Sequence, residues 1–384
     1  MTTHPALVLS ATGQIRLESV PTKRPRAGEL LVAPLRASIC GSDLDILRGN
    51  RPVATHILGH EGIAEIVETG PETEPTPFTV GQKVTFLPNN PHDLEDILGV
   101  STEGLFQRAL LISRPALKRG MLIPCDPHLP LICGPVLEPF GTVLYGQHLV
   151  RQVCRPGSMA VVGTGAIGLF TALHARSQGC EQVFLIGTSQ ARLDWAVRRG
   201  IIERSHAFLH APALAQTLLD HTAGQGVDVV DICTPRAATL SVLEQALRFV
   251  REDGCIHLSA GTNSREPLPA LPEVDLNRIR QANVCGQGHE VNHYVTRSGK
   301  GLWLTGHSGT SAQYIQEAMS LLLTASPVYS KVISHCISYR AAPRVFEALL
   351  TDHPQHESGT PYVKVVLDFT TEDQAIEEFE PHDV

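Results

Sequence analysis

A chain of 384 residues, 42% hydrophobic and 18% charged, has material for two packed domains and is too apolar to remain disordered. Its 31 basic and 39 acidic residues leave a formal charge of -8 with all 18 histidines neutral, which disfavours nucleic acid or an anionic membrane as the main partner. Nine cysteines, an odd number with no Cys-x-x-Cys pair, fit a reducing cytoplasm better than a disulfide framework.

The opening "MTTHPALVLSATGQ" has neither the basic start nor the apolar run of a signal peptide. The first 150 residues come in short Val-, Ile-, Gly- and Pro-rich pieces, such as "ALVLSA", "GELLVAPLRAS", "GIAEIVETG" and "GQKVTFL". They predict a mainly β region with many turns. Within it, "SICGSDLDILRGN" carries Cys40, and "ILGHEGIAEIVETG" carries His60 and Glu61. "PETEPTPFTVGQ" reads as a Pro-rich surface connection, and "DLEDILGVSTEGLFQ" as a polar loop. In "PVLEPFGTVLYG", Glu138 stands directly before a proline that suits the first position of a helix. Glutamate is not a preferred cap, which hints at another task for its side chain.

From Ser158 the texture changes. "SMAVVG" reads as a buried strand and "AIGLFTALHARSQG" as a helix closed by Gly179. "QVFLIG" and "SQARLDWAVRRG" repeat the pair, closed by Gly200. "VDVVDIC", "AATLSVLEQALRFVRED" and "GCIHLSAG" continue it. Such alternation predicts a parallel sheet with helices on both faces. The apolar run from Met159 to Ala175 holds three glycines and is too short for a membrane span. Later come helices near "SAQYIQEAMSLLLTA" and "AAPRVFEALLTD" and a closing strand "YVKVVLDF".

The turn "VVGTGAIG" spaces Gly163, Gly165 and Gly168 as G-x-G-x-x-G, with Ala166 and Ile167 between the last two. It follows a predicted strand and opens a predicted helix, as pyrophosphate binding requires. The first glycine permits the tight turn, the second admits the phosphates, and the third lets helix pack on strand. Free N–H groups at the helix start then meet the anion. At the end of the next strand, NAD binding calls for a carboxylate on the ribose. This chain has Gly187, Thr188 and Ser189 there, with Arg192 beyond, which favours NADP(H) over NAD(H). Thr188 and Ser189 are equally suited to cap the following helix.

Cys40, His60 and Glu138 offer thiolate, imidazole and carboxylate, the donor types of a catalytic zinc with one open position. Singly, each has an ordinary reading as a core cysteine, a structural histidine and a solvated glutamate. Their combination resembles a known family. "CGSD", the "GHE" of "LGHEGIAEIVETG", "LEP" before a helix and "GTGAIG" occur in the order and spacing of the medium-chain dehydrogenase/reductase superfamily. The similarity is greatest to its zinc-dependent polyol and sugar dehydrogenases, the sorbitol and glucose dehydrogenase branch, and covers essentially the whole chain.

The resemblance implies an α/β fold, with a Rossmann doubly wound parallel sheet beside a mainly β GroES-like catalytic domain. Residues 1–150 and 296–384 would form the catalytic domain, with 151–295 the dinucleotide-binding domain inserted between. It implies one catalytic zinc on Cys40, His60 and Glu138, with Glu61 as nearby or alternate ligand and Asp43 orienting the histidine. Ser42 would pass on the substrate's proton. Where relatives often place a relaying histidine, this chain has Asp45. The region that carries four zinc-binding cysteines in many relatives, "FLPNNPHDLEDILGVSTEGLFQ", has none, so no structural zinc is expected.

The implied reaction is hydride transfer between NADP(H) and the secondary alcohol or ketone of a polyol, sugar or cyclitol, phosphorylated or not. The segment "GHEVNHYVTRSGKGLWLTGHSG" holds three histidines, an arginine and a lysine. It reads as a solvated loop or a subunit contact, or as polar lining for such a substrate. A homodimer or homotetramer is expected from resemblance. The competing readings are a zinc-free quinone or enone reductase of the same superfamily, a non-catalytic NADPH-binding regulatory or structural protein, and a nucleic-acid-binding regulator. The acidic balance and the absence of a basic helix disfavour the last.

Overall fold

The computed structural model describes residues 2–71, 77–262, 267–351 and 354–381. Residues 72–76 of the Pro-rich connection lie outside the described residues. The chain divides into two compact units, Met1–Pro139 with Ile315–Val384, and Phe140–Tyr314. The borders expected at 150/151 and 295/296 thus fall at 139/140 and 314/315.

The first unit opens with an antiparallel pair, β1 (Thr3–Leu9) and β2 (Ile15–Pro21). Strand β3 (Leu30–Ser38) leads into helix α1 (Gly41–Leu47) and then β4 (Glu61–Thr69). There follow β5 (Lys83–Phe86), β6 (Asn89–Asn90), β7 (Asp93–Ile97), β8 (Leu110–Ile112), α2 (Arg114–Lys118) and β9 (Leu122–Pro124). Helix α3 (Leu137–Arg151) carries the chain across the first border. The stretch read as a polar loop from Asp93 is corrected in part, because Asp93–Ile97 pairs with β6 as a short hairpin.

The second unit runs β10 (Ser158–Val162), α4 (Ala166–Ser177), β11 (Gln182–Gly187), α5 (Gln190–Arg198), β12 (Ala207–Leu209), α6 (Leu214–His221) and β13 (Val227–Ile232). It continues with α7 (Thr239–Ala246), β14 (Val250–Leu258), α8 (Leu276–Gln281), β15 (Asn292–Val295) and β16 (Gly301–Gly306). Helix α9 (Ala312–Tyr329) then returns the chain to the first unit. There β17 (His335–Ser338), α10 (Ala342–Leu349), β18 (Val365–Asp368) and β19 (Ile376–Glu378) complete it.

In the first unit an eight-stranded sheet has the order β19-β17-β18-β3-β4-β5-β9, with β8 on the early half of β3. Strand β18 is therefore not the closing strand, since β19 adds to β17 beyond it. The core gathers Leu58, Phe86, Phe106, Phe346 and Phe369, all within 1% of complete burial. Phe106 and Phe346 meet edge to face at 5.8 Å, a favoured aromatic geometry.

The second sheet has the order β12-β11-β10-β13-β14-β16-β15. Its first six members are parallel, in the doubly wound arrangement whose order reverses at β10. Every residue of β10 is buried, as expected for a strand covered on both faces. The segment from Gly288 to Gly309 is not simply a loop, because β15 and β16 form an antiparallel pair that extends this sheet. That is why residues 296–314 stay with the second unit. The long helix expected over "AATLSVLEQALRFVRED" ends at Ala246, and Val250 already pairs with Val227.

Under α3, in the second unit, lies a buried polar chain that the sequence did not reveal. Asp231 Oδ1 accepts from Ser259 Oγ at 2.9 Å and faces His257 Nδ1 at 3.0 Å. His257 Nε2 meets His307 Nδ1 at 3.0 Å, and the two rings stack with centroids 5.0 Å apart. Burial first, then His257 and Arg280, holds His307 well below the ordinary histidine range, so it stays neutral. Gly146 of α3 sits against this pair: a Cβ there would lie 2.4 Å from His257 Cε1 and 2.9 Å from His307 Cε1. Helix propensity favours Gly146→Ala by about 1 kcal/mol, whereas overpacking costs about 1–3 kcal/mol. We expect a net loss of stability in urea unfolding; a raised midpoint would show that the histidine pair yields.

Candidate metal centre and dinucleotide loop

The first centre is assembled by strand register. Ser38 at the end of β3 pairs with Glu61 at the start of β4, and on its other side with Val366 of β18. Cys40, two residues past β3, His60, directly before β4, and Lys364, directly before β18, therefore share one end of the sheet. The ligand atoms of Cys40, His60 and Glu61 lie within 4.8 Å of one another.

Cys40 is the N-cap of α1, and its N–H donates to Asp43 Oδ2 at 2.9 Å. Asp43, fully buried, also faces His60, with Oδ1 3.7 Å from Nδ1. Ser42 Oγ stands 3.3 Å from His60 Nε2. Asp45 lies three residues further along α1, half-buried. Glu138 is not a cap: a short 3₁₀ helix, Leu131–Val136, runs straight into α3, which places Glu138 inside the first turn. It is not part of the close three-donor set, but its charge acts on Lys364.

Lys364 is the member that the sequence reading missed. It is 2% exposed, its Nζ is paired with Glu61 Oε2, and it stands 3.3 Å from the Ile39 carbonyl. Ser38 Oγ adds a contact to the same carboxylate oxygen at 2.5 Å. Burial opposes charge on Glu61, but Lys364, His60 and Ser38 outweigh it and hold the carboxyl below its ordinary range. A lone lysine inside "YVKVVLDF" was the available signal, since lysine is almost never buried unpaired.

Burial likewise lowers the His60 imidazole, yet Cys40, Asp43 and Glu61 together push it up to about 10. These neighbours favour the protonated ring. One thiol, one imidazole and one carboxylate, with a second carboxylate behind the imidazole, fit a zinc ion in donor type and in outer support.

The second centre is a backbone feature of the other unit. Gly163 follows β10 with φ +134°, and a Cβ on it would lie 2.3 Å from the Cys233 carbonyl oxygen. A Cβ on Gly168 would lie 2.0 Å from the Gly163 carbonyl oxygen, so α4 presses directly on the turn. Gly165 caps α4, and nothing lies within 4 Å of where its Cβ would stand. Two crowded glycines thus flank an open one, with Ala166 and Ile167 opening the helix; that fits a pyrophosphate at the N-terminus of α4. Strand β11 ends at Gly187, Thr188 is exposed, and Ser189 caps α5 by accepting the Arg192 N–H at 3.4 Å. No carboxylate occupies the strand end.

Comparison with known proteins agrees with this geometry. Residues 26–118 match the alcohol dehydrogenase GroES-like domain. An uncharacterized zinc-type alcohol dehydrogenase-like protein of Haemophilus influenzae is 25% identical over 91% of this chain and 96% of its own. A candidate D-xylulose reductase of Rhizobium meliloti is 27% identical over 63% of this chain and 73% of its own. An L-threonine 3-dehydrogenase of Thermococcus kodakarensis is 28% identical over 77% and 82%. A candidate zinc-binding dehydrogenase of Sinorhizobium meliloti, crystallised with NADP, shares the fold. It has TM-score 0.71, 20% identity, and coverage of 96% of this chain and 100% of that one.

Two outcomes are expected. Lys364→Met strands the buried Glu61 charge and should cost about 3–5 kcal/mol in urea unfolding; a loss below about 1 kcal/mol would contradict the buried pair. In chelator-treated protein, His60 binds its proton more tightly folded, at about 10, than unfolded, at 6.5. That stabilisation is complete below pH 6.5 and is lost as pH rises toward about 10, with a slope of at most about 1.4 kcal/mol per pH unit. Unfolding midpoints across this range should fall in the wild type, and fall less in His60→Ala; parallel profiles would contradict the assignment.

Proposed function

We propose that this chain is a member of the zinc-dependent, alcohol dehydrogenase-like part of the medium-chain dehydrogenase/reductase superfamily and transfers hydride between NADP(H) and a polyol, sugar or cyclitol, a reading supported by its similarity to those proteins. The reacting group is a secondary alcohol or its ketone, on a substrate that is phosphorylated or free. The observation that carries this reading is the convergence of Cys40, His60 and Glu61 above the buried Asp43.

Cys40 and His60 would hold the metal, with Glu138 and Glu61 as the carboxylates that share the remaining protein position. A bound zinc would supply Lewis acidity at the substrate oxygen, and a bound nicotinamide the hydride-accepting carbon. Asp43 keeps the His60 ring oriented from behind. Ser42 accepts the substrate's hydroxyl proton, and Asp45, on the same helix, passes it toward water. In oxidation the substrate carbon loses hydride to the cofactor and the oxygen loses the proton, so alcohol and NADP+ give ketone, NADPH and a proton.

Lys364 limits how freely Glu61 reaches a metal, because each ligation by Glu61 must loosen an ion pair buried from water. Preference for NADP(H) is supported by Thr188, Ser189 and Arg192 where NAD binding would need an acid. By their names, the Rhizobium relative is a reductase of D-xylulose and the Thermococcus relative a dehydrogenase of L-threonine at position 3. Nine free thiols suit a reducing cytoplasm, and assembly as a homodimer or homotetramer completes the reading.

The test is a hydride-transfer assay with NADPH and NADH against a panel of ketoses, polyols and cyclitols, using wild type, Cys40→Ser and Arg192→Ala. Cys40→Ser should lose the metal of this centre and at least about 100-fold in kcat/KM, and Arg192→Ala should raise KM for NADPH alone. Metal-free protein that reduces quinones or enones at full rate would replace this reading with the zinc-free reductase.

A further inference from the structure

A second cluster of metal-binding side chains stands elsewhere in the first unit. The ligand atoms of His335, His356 and Glu378 lie within 4.8 Å of one another. His335 begins β17, and Glu378 is its direct partner across the ladder at the end of β19. His356 comes from the turn between α10 and β18, which is closed by its own N–H to Thr360 O at 2.8 Å and by Gly359 N–H to its carbonyl at 2.9 Å.

The hydrogen bonds decide which ring atom of His335 carries the lone pair. Ser334 Oγ donates its one hydrogen to the Lys364 carbonyl at 3.1 Å and accepts the Val363 N–H at 3.0 Å. At His335 Nδ1, 3.0 Å away, the hydroxyl must therefore accept, so Nδ1 carries the hydrogen and Nε2 the lone pair. His356 Nδ1 takes contacts from the Ser358 N–H at 3.4 Å and from Ser358 Oγ at 3.1 Å, and the same hydroxyl donates to Glu378 Oε1. His356 Nδ1 is 3.9 Å from Glu378 Oε1.

Two imidazoles, one with its lone pair placed on Nε2, and one carboxylate thus converge, a donor set suited to a cation. Ligands around a tetrahedral zinc stand roughly 3.3 Å apart for bonds of about 2.0 Å, so closure needs only small side-chain movements. His335 is fully buried, while the side chains of His356 and Glu378 are 23% and 37% exposed and leave a way in from solvent. We propose that His335, His356 and Glu378 form a second, sulfur-free site for a divalent metal of the zinc, cobalt and nickel type. The ion fastens β19 and the 354–361 turn to β17. The expectation of a single zinc per chain is revised accordingly, and the proposal stands independently of the catalytic reading.

The test is equilibrium dialysis of the intact protein against buffered Zn2+ or Co2+, with metal counted by mass spectrometry and folding checked by circular dichroism. Cys40→Ser should retain about one equivalent. Cys40→Ser combined with His356→Ala or with the milder, more exposed Glu378→Gln should lose it, or bind at least about 10-fold more weakly. Cobalt in Cys40→Ser should show d–d bands without thiolate charge transfer, whereas the Cys40 site would show both. A Cys40→Ser protein that holds no metal overturns the proposal, as does one whose remaining metal is indifferent to His356 and Glu378.

Discussion

Glu61 and Lys364 face each other out of reach of water, and the chemistry of the first unit is organised around that pair. Two charges in such a place are tolerated only when each is satisfied, and Ser38, the Ile39 carbonyl and His60 complete the arrangement. All of these groups are delivered by the pairing of β18, β3 and β4. A slip of one residue between those strands would turn Glu61 to the opposite face and leave Lys364 buried alone. The register of the sheet is thus held by the same charges that it assembles. A site built this way tolerates little change in backbone, because its members come from three distant parts of the chain.

The dinucleotide loop follows the opposite design. Its working atoms are backbone N–H groups at the start of α4, and the side chains matter chiefly by their absence at Gly163, Gly165 and Gly168. Strand β10 lies where the strand order reverses, the place at which open α/β sheets bind ligands beyond the carboxyl ends of their strands. In the proposed reading, selectivity for the ribose rests on the few side chains after β11, where hydroxyl and guanidinium groups stand in place of an acid.

Histidine shows how far surroundings outweigh residue type. His60, ringed by a thiol and two carboxylates, is pushed up to about 10, although burial alone would lower it. His307, equally buried but beside His257 and Arg280, is driven far the other way. His335 has its tautomer set by a serine hydroxyl that has already spent its hydrogen elsewhere. The same imidazole becomes a cation, a neutral link in a buried chain, or a poised ligand.

By itself the sequence determined what depends on local pattern. The short buried runs and amphipathic segments from Ser158 onward predicted the parallel sheet because period and burial are written residue by residue, and β10, α4, β11 and α5 appear where expected. The glycine spacing announced its turn for the same reason, and Cys40 and His60 were legible through the motifs around them. Only the tertiary structure shows how the two carboxylates stand toward them. Glu61 stands in the close set and Glu138 outside it, an outcome of the β3–β4 register that no local pattern encodes. Lys364, the Asp231–His257–His307 chain and the meeting of His335, His356 and Glu378 were equally hidden. Each depends on residues tens to hundreds of positions apart, brought together by strand pairing, and a sequence read in windows carries no term for that distance.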